Sequence, residues 1–437
     1  GAVVVDLDRD GDLDIVTNNL NAEASVFENR TAGTHRLVVE LRGVISNAFG
    51  VGAKVEVDAG GETYVRQVSL TRGYMSAGEA VEHFGLGEAV EIDEVRVTWP
   101  GGAVQRLDDV RIDHRVVITE ARGLVETAAR PQVLGSRNAA LADSPHVEAD
   151  FDDYAVQPLL PHRLSRLGPG AAAADLGGGG DTVWIGGAAG QPGTMLQGLS
   201  GGGEGAPIDG PWQADGRYED MGAAFIDFDA DGDLDLYVAS GSNECGDDLS
   251  LLVDRLYVND GQGGFERAPD GVLPEVQISS SCVAAADYDR DGDVDLFVGG
   301  RLLAGRFPHA PSSTMLRNDG GRFVDVTDEV APQCRALGMV SGACWSDLDD
   351  DGFVDLVVAA QWQPVRVLGN DGGGRFVDRT RAMGLDDVRG VWNGVISTDL
   401  DQDGDFDLVV TNIGLNTKYA ASPDKPMEIF ARDFDGN

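Results

Sequence analysis

The sequence predicts an all-β chain: β-propeller repeats of about four strands per blade, in an incomplete set, plus a small antiparallel β-sandwich or barrel. Three observations predict it. An acidic nine-residue stretch occurs five times between short apolar runs, its later copies recur every 52–60 residues, and residues 34–121 alternate polar and apolar residues without that stretch. Repeats of this length, each with about four strands, are the signature of propeller blades. The rungs of a parallel β-helix would be much shorter.

The stretch reads D-x-D-x-D-G-x-x-D. Its first copy holds Asp6, Asp8, Asp10, Asp12 and Asp14, and its second Asp227, Asp229, Asp231, Asp233 and Asp235. The third holds Asp287, Asp289, Asp291, Asp293 and Asp295, the fourth Asp347, Asp349, Asp351, Phe353 and Asp355, and the fifth Asp399, Asp401, Asp403, Asp405 and Asp407. A sixth begins at Asp433. Hard oxygen ligands at alternate positions, followed by a turn glycine, suit calcium. The expectation is one Ca2+ in each of five loops, held by the side chains of positions 1, 3, 5 and 9 and by the carbonyl of position 7. Phe353, at position 7, favours a carbonyl there, since its side chain cannot ligate. An EF-hand is excluded: position 12 is Thr17, Val238, Val298, Val358 or Val410 rather than Glu, and the flanks DIVT, DLYVA, DLFVG, DLVVA and DLVVT are strands, not helices.

In chain order, residues 1–33 read as a single repeat, expected to end an upstream propeller that this fragment lacks. Within 34–121 the runs 35–43, 51–61, 63–70, 93–102 and 114–120 are strand-like. Residues 122–165 read as a linker and docking arm, and residues 166–437 as further blades. In the blade opened by Asp227 the strands are GAAFI, DLYVA, RLYVN (255–259) and GFERA (264–268). Turns at Asn259-Asp260-Gly261, Asn318-Asp319-Gly320 and Asn370-Asp371-Gly372 join the last two strands of their blades. One blade is degenerate. Asp175 to Val183 aligns with the loop, but Gly177, Gly179 and Val183 replace three ligands, which predicts a blade without calcium.

Together these repeats resemble FG-GAP/VCBS repeats of integrin-α-type propellers. Residues 34–121 resemble an ASPIC/UnbV domain, on Val51-Gly52-Ala53, Gly73-Tyr74-Met75-Ser76, His83-Phe84-Gly85-Leu86-Gly87 and Val97-Thr98-Trp99-Pro100-Gly101-Gly102. Residues 158–168 and 414–426 are similar to segments that accompany that domain. The resemblance implies a secreted or surface calcium-binding protein, with the domain set between propeller repeats. It implies no catalytic site.

The chain has 33 Lys and Arg against 74 Asp and Glu, a net charge of −41, which excludes nucleic acid and anionic membranes as partners. No apolar run has the length of a membrane span. Extracellular, cell-surface or periplasmic placement suits millimolar calcium. Four cysteines, Cys245, Cys282, Cys334 and Cys344, leave both disulfides and buried thiols open. No zincin, P-loop or dinucleotide motif occurs, and the string Gly198 to Gly202 lacks the strand–turn–helix setting of a nucleophile elbow. His83 reads as structural in the HFGLG turn. Trp345, Trp362 and Trp392 either fill space between blades or form a binding face. The leading expectation is a non-enzymatic protein that mediates adhesion or binds a protein or glycan. The rival is a calcium-dependent polysaccharide-active enzyme, lyase or hydrolase, on a propeller scaffold.

Overall fold

The computed structural model describes residues 1–437 except 32, 121–122, 130–145, 178–180, 199–204, 415, 418–419, 423 and 431–437. The sixth loop at Asp433, Ser200 of the elbow-like string, and parts of the 122–165 and 414–426 segments lie outside the described residues. The chain is all-β, 42% strand and 6% helix, and among the described residues no repeat is helical.

Small antiparallel sheets follow one another. The first comprises Ala2–Val5, Asp14–Thr17 and Ser25–Phe27. The degenerate blade is Ala171–Asp175, Asp181–Ile185, Thr194–Gln197 and Ala206–Ile208. Two four-stranded blades come next. One runs Asp220–Ile226, Asp235–Ser240, Arg255–Asn259 and Phe265–Arg267, the other Ser279–Ala286, Asp295–Leu302, Thr314–Asn318 and Phe323–Asp325. The next blade is Met339–Ser346, Asp355–Pro364, Arg366–Asn370 and Phe376–Asp378, and its long second strand also pairs with Arg389–Thr398 of the last, which in turn pairs with Asp407–Asn412. Small residues make the inner strands (Ala171–Ala174, Ala223–Ala224, Ala284–Ala286), so consecutive blades approach closely and bury them completely.

Residues 34–129 form two four-stranded sheets. One has the order Val104–Leu107, Ile92–Thr98, Lys54–Ala59, Glu62–Gln67; the other has Gly123–Ala129, His114–Thr119, His35–Arg42, Val81–Gly87. Three features differ from the sequence expectation. The HFGLG segment is a strand, with His83 paired to Val38. His114–Thr119 runs parallel to His35–Arg42, so the sandwich is not purely antiparallel. Gly123–Ala129, read as linker, is a strand of the same sheet.

Nor are the units separate. The apolar interior of the sandwich, including Leu37, Val55, Phe84 and Trp99, is continuous with Met221, Ala223 and Val283 of the blades. The bridge is the 69–78 loop. Its Ser76–Ala77 adds as a parallel strand to Ala171–Asp175, Thr71 Oγ1 donates to the Val283 carbonyl at 3.0 Å, and the Tyr74 hydroxyl donates to the Leu167 carbonyl at 2.8 Å. The first sheet is not isolated either. Val3, Val5 and Val16 pack on Ala171, Ala173, Val183 and Ile185. Hydrophobic burial thus joins the sandwich to the degenerate blade and the two blades after it, and the first sheet to the degenerate blade.

Candidate metal centres in the carboxylate loops

Each acidic stretch forms the tight connection between the first and second strands of a sheet, and all five share one backbone geometry. Position 4 is left-handed in every copy: Arg9, Ala230, Arg290, Asp350 and Gln402 have φ between 55° and 64°. Position 6 is glycine with φ of 88° to 102°. Only glycine adopts the latter readily, which explains that invariant spacing. The position 4 conformation carried no sequence signal, because its side chains share no chemistry.

The fold brings the carboxylates of positions 1, 3 and 5 together. Asp6, Asp8 and Asp10 each offer an oxygen within 4.8 Å of the others, as do Asp227, Asp229 and Asp231, then Asp287, Asp289 and Asp291, then Asp347, Asp349 and Asp351. Within each loop, amides turn inward onto these oxygens: Gly11 N donates to Asp6 Oδ2 at 3.0 Å and Gly352 N to Asp347 Oδ2 at 2.9 Å. The other oxygen of Asp6, Asp287 and Asp399 is buried without a hydrogen-bond partner. Burial, followed by repulsion from neighbouring aspartates, pushes Asp6 and Asp287 up to about 7. Burial also raises Asp227 and Asp347 to about 6. Orphaned, desolvated carboxylate oxygens grouped around one point fit a hard divalent cation.

Position 9 does something the sequence did not show. Its carboxylate staples two strands of the sheet. Asp235 Oδ2 accepts the Phe228 amide at 2.9 Å and its Oδ1 the Asn259 amide at 2.8 Å. Asp14, Asp295 and Asp355 repeat the pattern, to Leu7 and Asn29, Tyr288 and Asn318, Leu348 and Asn370. Asp407 holds Leu400 in the same way, at 3.0 Å. A carboxylate oxygen keeps a second lone pair, so stapling does not remove these residues as ligands. At position 7, the Asp293 side chain accepts the Gly320 amide at 2.9 Å, while both carboxylate oxygens of Asp12 and one of Asp233 are buried without a hydrogen-bond partner. Phe353 lies under Arg290, whose guanidinium is 3.4 Å from the ring centroid.

The degenerate blade has a different register. Asp181 pairs with Asp175 across the sheet, as Asp235 pairs with Ile226, so Asp181 occupies the place of position 9 on a shortened loop rather than position 7. An internal cation serves it. Arg9, from the first loop, reaches Asp175 Oδ2 at 2.7 Å and Asp181 Oδ1 at 3.6 Å.

The remaining candidates are three tryptophans and four cysteines. Trp345 stacks on Tyr288 of the preceding blade, centroids 6.1 Å apart and planes 12° apart, and is almost wholly buried, so it fills the space between blades. Trp392 is half-buried, its ring nitrogen donating to the Gln363 carbonyl at 3.0 Å. Trp362 sits at a bulge with φ of 66°. All four cysteines are buried free thiols, which closes the disulfide option; burial pushes Cys334 and Cys344 up to about 12. Among the described residues no helix is long and apolar enough to cross a membrane.

Comparison with known proteins agrees with this architecture. Residues 43–125 match the family described as ASPIC and UnbV, and residues 227–298 and 347–410 match the FG-GAP-like repeat. Cartilage acidic protein 1 of Mus musculus is 34% identical over 106 residues, which cover 23% of this chain and 16% of that protein. The Homo sapiens protein matches over the same shares at the same identity. The match thus spans about one-sixth of the length of these curated relatives. Among solved structures, the exotype rhamnogalacturonan lyase YesX aligns at 12% identity over 89% of this chain and 57% of its own, with a TM-score of 0.31. The V. cholerae biofilm matrix protein Bap1 aligns at 14% identity over 55% of this chain and 34% of its own, with a TM-score of 0.29. The chain therefore carries an ASPIC and UnbV domain together with FG-GAP-like repeats.

Proposed function

We propose that this chain belongs to an extracellular or cell-surface protein whose loops bind calcium and whose blades present a binding surface to a protein or glycan, without catalysis. The observation that carries the reading is the buried, unpartnered oxygen at position 1 of the loops, Asp6 and Asp287 above all, beside two further aspartates. Such oxygens are costly to bury as anions unless a cation compensates them. All-oxygen sets of this kind suit calcium, and extracellular sites bind it at roughly 10⁻⁴–10⁻³ M. The strongly acidic chain, the FG-GAP-like repeats and the likeness to cartilage acidic protein 1 support placement outside the cell.

At ten times the dissociation constant each site contributes about 1.4 kcal/mol by mass action, so five independent sites contribute on the order of 7 kcal/mol. That is comparable to the whole net stability of a typical domain, about 5–15 kcal/mol. A thermal melt with and without a chelator tests the reading. The chelated protein is expected to melt well below the calcium-loaded one, with a wider gap at low salt, where screening is weak. Coincident midpoints would sink the calcium role. New reducing or unsaturated ends released from a glycan panel would replace the non-catalytic reading with the polysaccharide-active one.

A further inference from the structure

Away from the carboxylate loops, a second cluster is built where residues 146–150 cross the blades. His146, Glu148 and Glu219 each offer a ligand atom within 4.8 Å of the others, and all three are buried. The His146 and Glu148 side chains are each 1% exposed, and His146 Nε2 lies 3.1 Å from Glu148 Oε1. That contact has the length of a hydrogen bond, and about 3 Å is also the spacing of two neighbouring ligands on one ion with bonds of about 2.0–2.2 Å.

Three polar atoms here have no partner: Glu148 Oε2, Glu219 Oε1 and His146 Nδ1. Glu244 adds two more, both carboxylate oxygens, and its charge bears on Glu219. Among the described residues, neither Lys nor Arg forms an ion pair with any of these three glutamates. The burial is not accidental looseness, because the ligands are held from outside. Glu219 Oε2 accepts the Ala189 amide at 2.6 Å, Asn21 Oδ1 accepts the Glu148 amide at 3.0 Å, and Gln191 Oε1 accepts the Val147 amide at 2.9 Å. Those partners come from the first sheet and the degenerate blade, while Glu219 and Glu244 flank the strands of the next. Burial and then Glu148 push Glu219 well above the ordinary glutamate range, as expected where carboxylates meet without a cation.

We infer that His146, Glu148 and Glu219 form a site for one divalent transition-metal ion, of the Mn2+ or Zn2+ class, that fastens residues 146–150 across three blades. An imidazole nitrogen among carboxylates favours these ions, whereas calcium takes oxygen ligands alone. The charge of Glu244 bears on Glu148 and Glu219 and adds to the negative field a cation would neutralise.

The test is equilibrium dialysis of the whole chain against Mn2+, and separately Zn2+, in saturating Ca2+. One tightly held ion per chain is expected, not displaced by calcium. Bound Mn2+ should show nitrogen coupling in pulsed electron paramagnetic resonance. His146→Gln should remove that coupling, and Glu219→Gln should weaken binding at least tenfold, while both still take up calcium with the wild-type stoichiometry. If Glu219→Gln fails to fold, the nitrogen coupling in the wild type and in His146→Gln decides the matter alone. Absence of a stoichiometric ion from the wild type, or retention of the coupling in His146→Gln, overturns the proposal.

Discussion

The side-chain carbonyl of Gln67 accepts the backbone amide of Asp347 at 3.2 Å, across 280 residues of sequence. One sheet of the sandwich is thereby tied to the first ligand position of a carboxylate loop. Lys54 Nζ lies 3.2 Å from Asp350 in the same loop, and Asn47 hydrogen-bonds the Asp287 carboxylate. The sandwich rests on the loop face of the array, so the order of the loops and the seating of the sandwich are coupled.

Within the Asp347 loop, ligand and staple separate by substitution. Asp351→Ala should abolish one bound calcium. Phe353→Ala should keep the ion and cost only about 0.5–1 kcal/mol, from its lost contact with Arg290. Calcium stoichiometry by equilibrium dialysis distinguishes them, and equal ion loss in both would refute a carbonyl ligand at position 7.

Asp355→Ala removes both acceptors of the Leu348 and Asn370 amides as well as a carboxylate that the calcium reading assigns to the ion. Its cost should persist at about 1–3 kcal/mol in excess chelator, because the buried amides lose their partners with or without calcium. Chemical denaturation in chelator measures this, and a variant as stable as wild type there would remove the staple.

Arg9→Met should cost about 2–3 kcal/mol. It leaves Asp175 and the buried Asp181 facing each other without their cation; the figure falls below that of a fully buried pair because Asp175 is partly exposed. Burial, then Asp181, pushes neighbouring Glu79 up to about 8, so the pocket has little room for uncompensated charge. Arg9→Lys should recover part of the loss in a thermal melt; no loss in Arg9→Met would show that the pair is idle.

Ala230→Gly should stabilise the protein by about 0.5–1 kcal/mol. Ala230 holds φ of 60°, a conformation that costs an L-residue roughly 1–2 kcal/mol, and relieving it exceeds the added chain entropy of glycine. Denaturant midpoints compare the two forms, and a lower midpoint for the glycine variant would show that the left-handed turn is unstrained.

Glu120 gives a pH dependence of definite sign. Burial pushes its carboxyl up, but the amides of Val44, Ile45 and Ser46, at 2.8, 2.8 and 2.9 Å, and the Ser46 hydroxyl at 3.0 Å outweigh burial and hold it below the ordinary value of 4.5. Its contribution is therefore present above pH 4.5 and lost as pH falls through the lower folded value. Glu120→Gln should lower stability by about 1–3 kcal/mol at pH 7, with the difference shrinking under acid. A gap between the two forms that stays constant from pH 7 to below 4 would contradict this.

Local features were legible in the sequence because they are set by nearest neighbours. The Asn259-Asp260-Gly261 turn, the strands Arg255–Asn259 and Asp235–Ser240, and the glycine at position 6 each follow from a short pattern with one backbone solution. The HFGLG end of the strand Val81–Gly87 reads as a turn because its glycines mask an alternation whose buried face meets His35–Arg42. Trp345 was ambiguous, since an aromatic entering a strand can face solvent or the next blade, and only Tyr288 decides which.

The sequence by itself determined the repeat, the strand–loop–strand unit, and the grouping of positions 1, 3 and 5, since alternate residues of a tight acidic turn converge whatever surrounds them. Only the tertiary structure decided where charge from distant segments meets. Arg9 serves Asp175 and Asp181, Gln67 meets Asp347, and His146 meets Glu219. These encounters depend on how the sandwich and residues 146–150 lie across the blades. That placement follows from apolar burial shared among segments hundreds of residues apart, which is non-directional and leaves no local pattern in the chain.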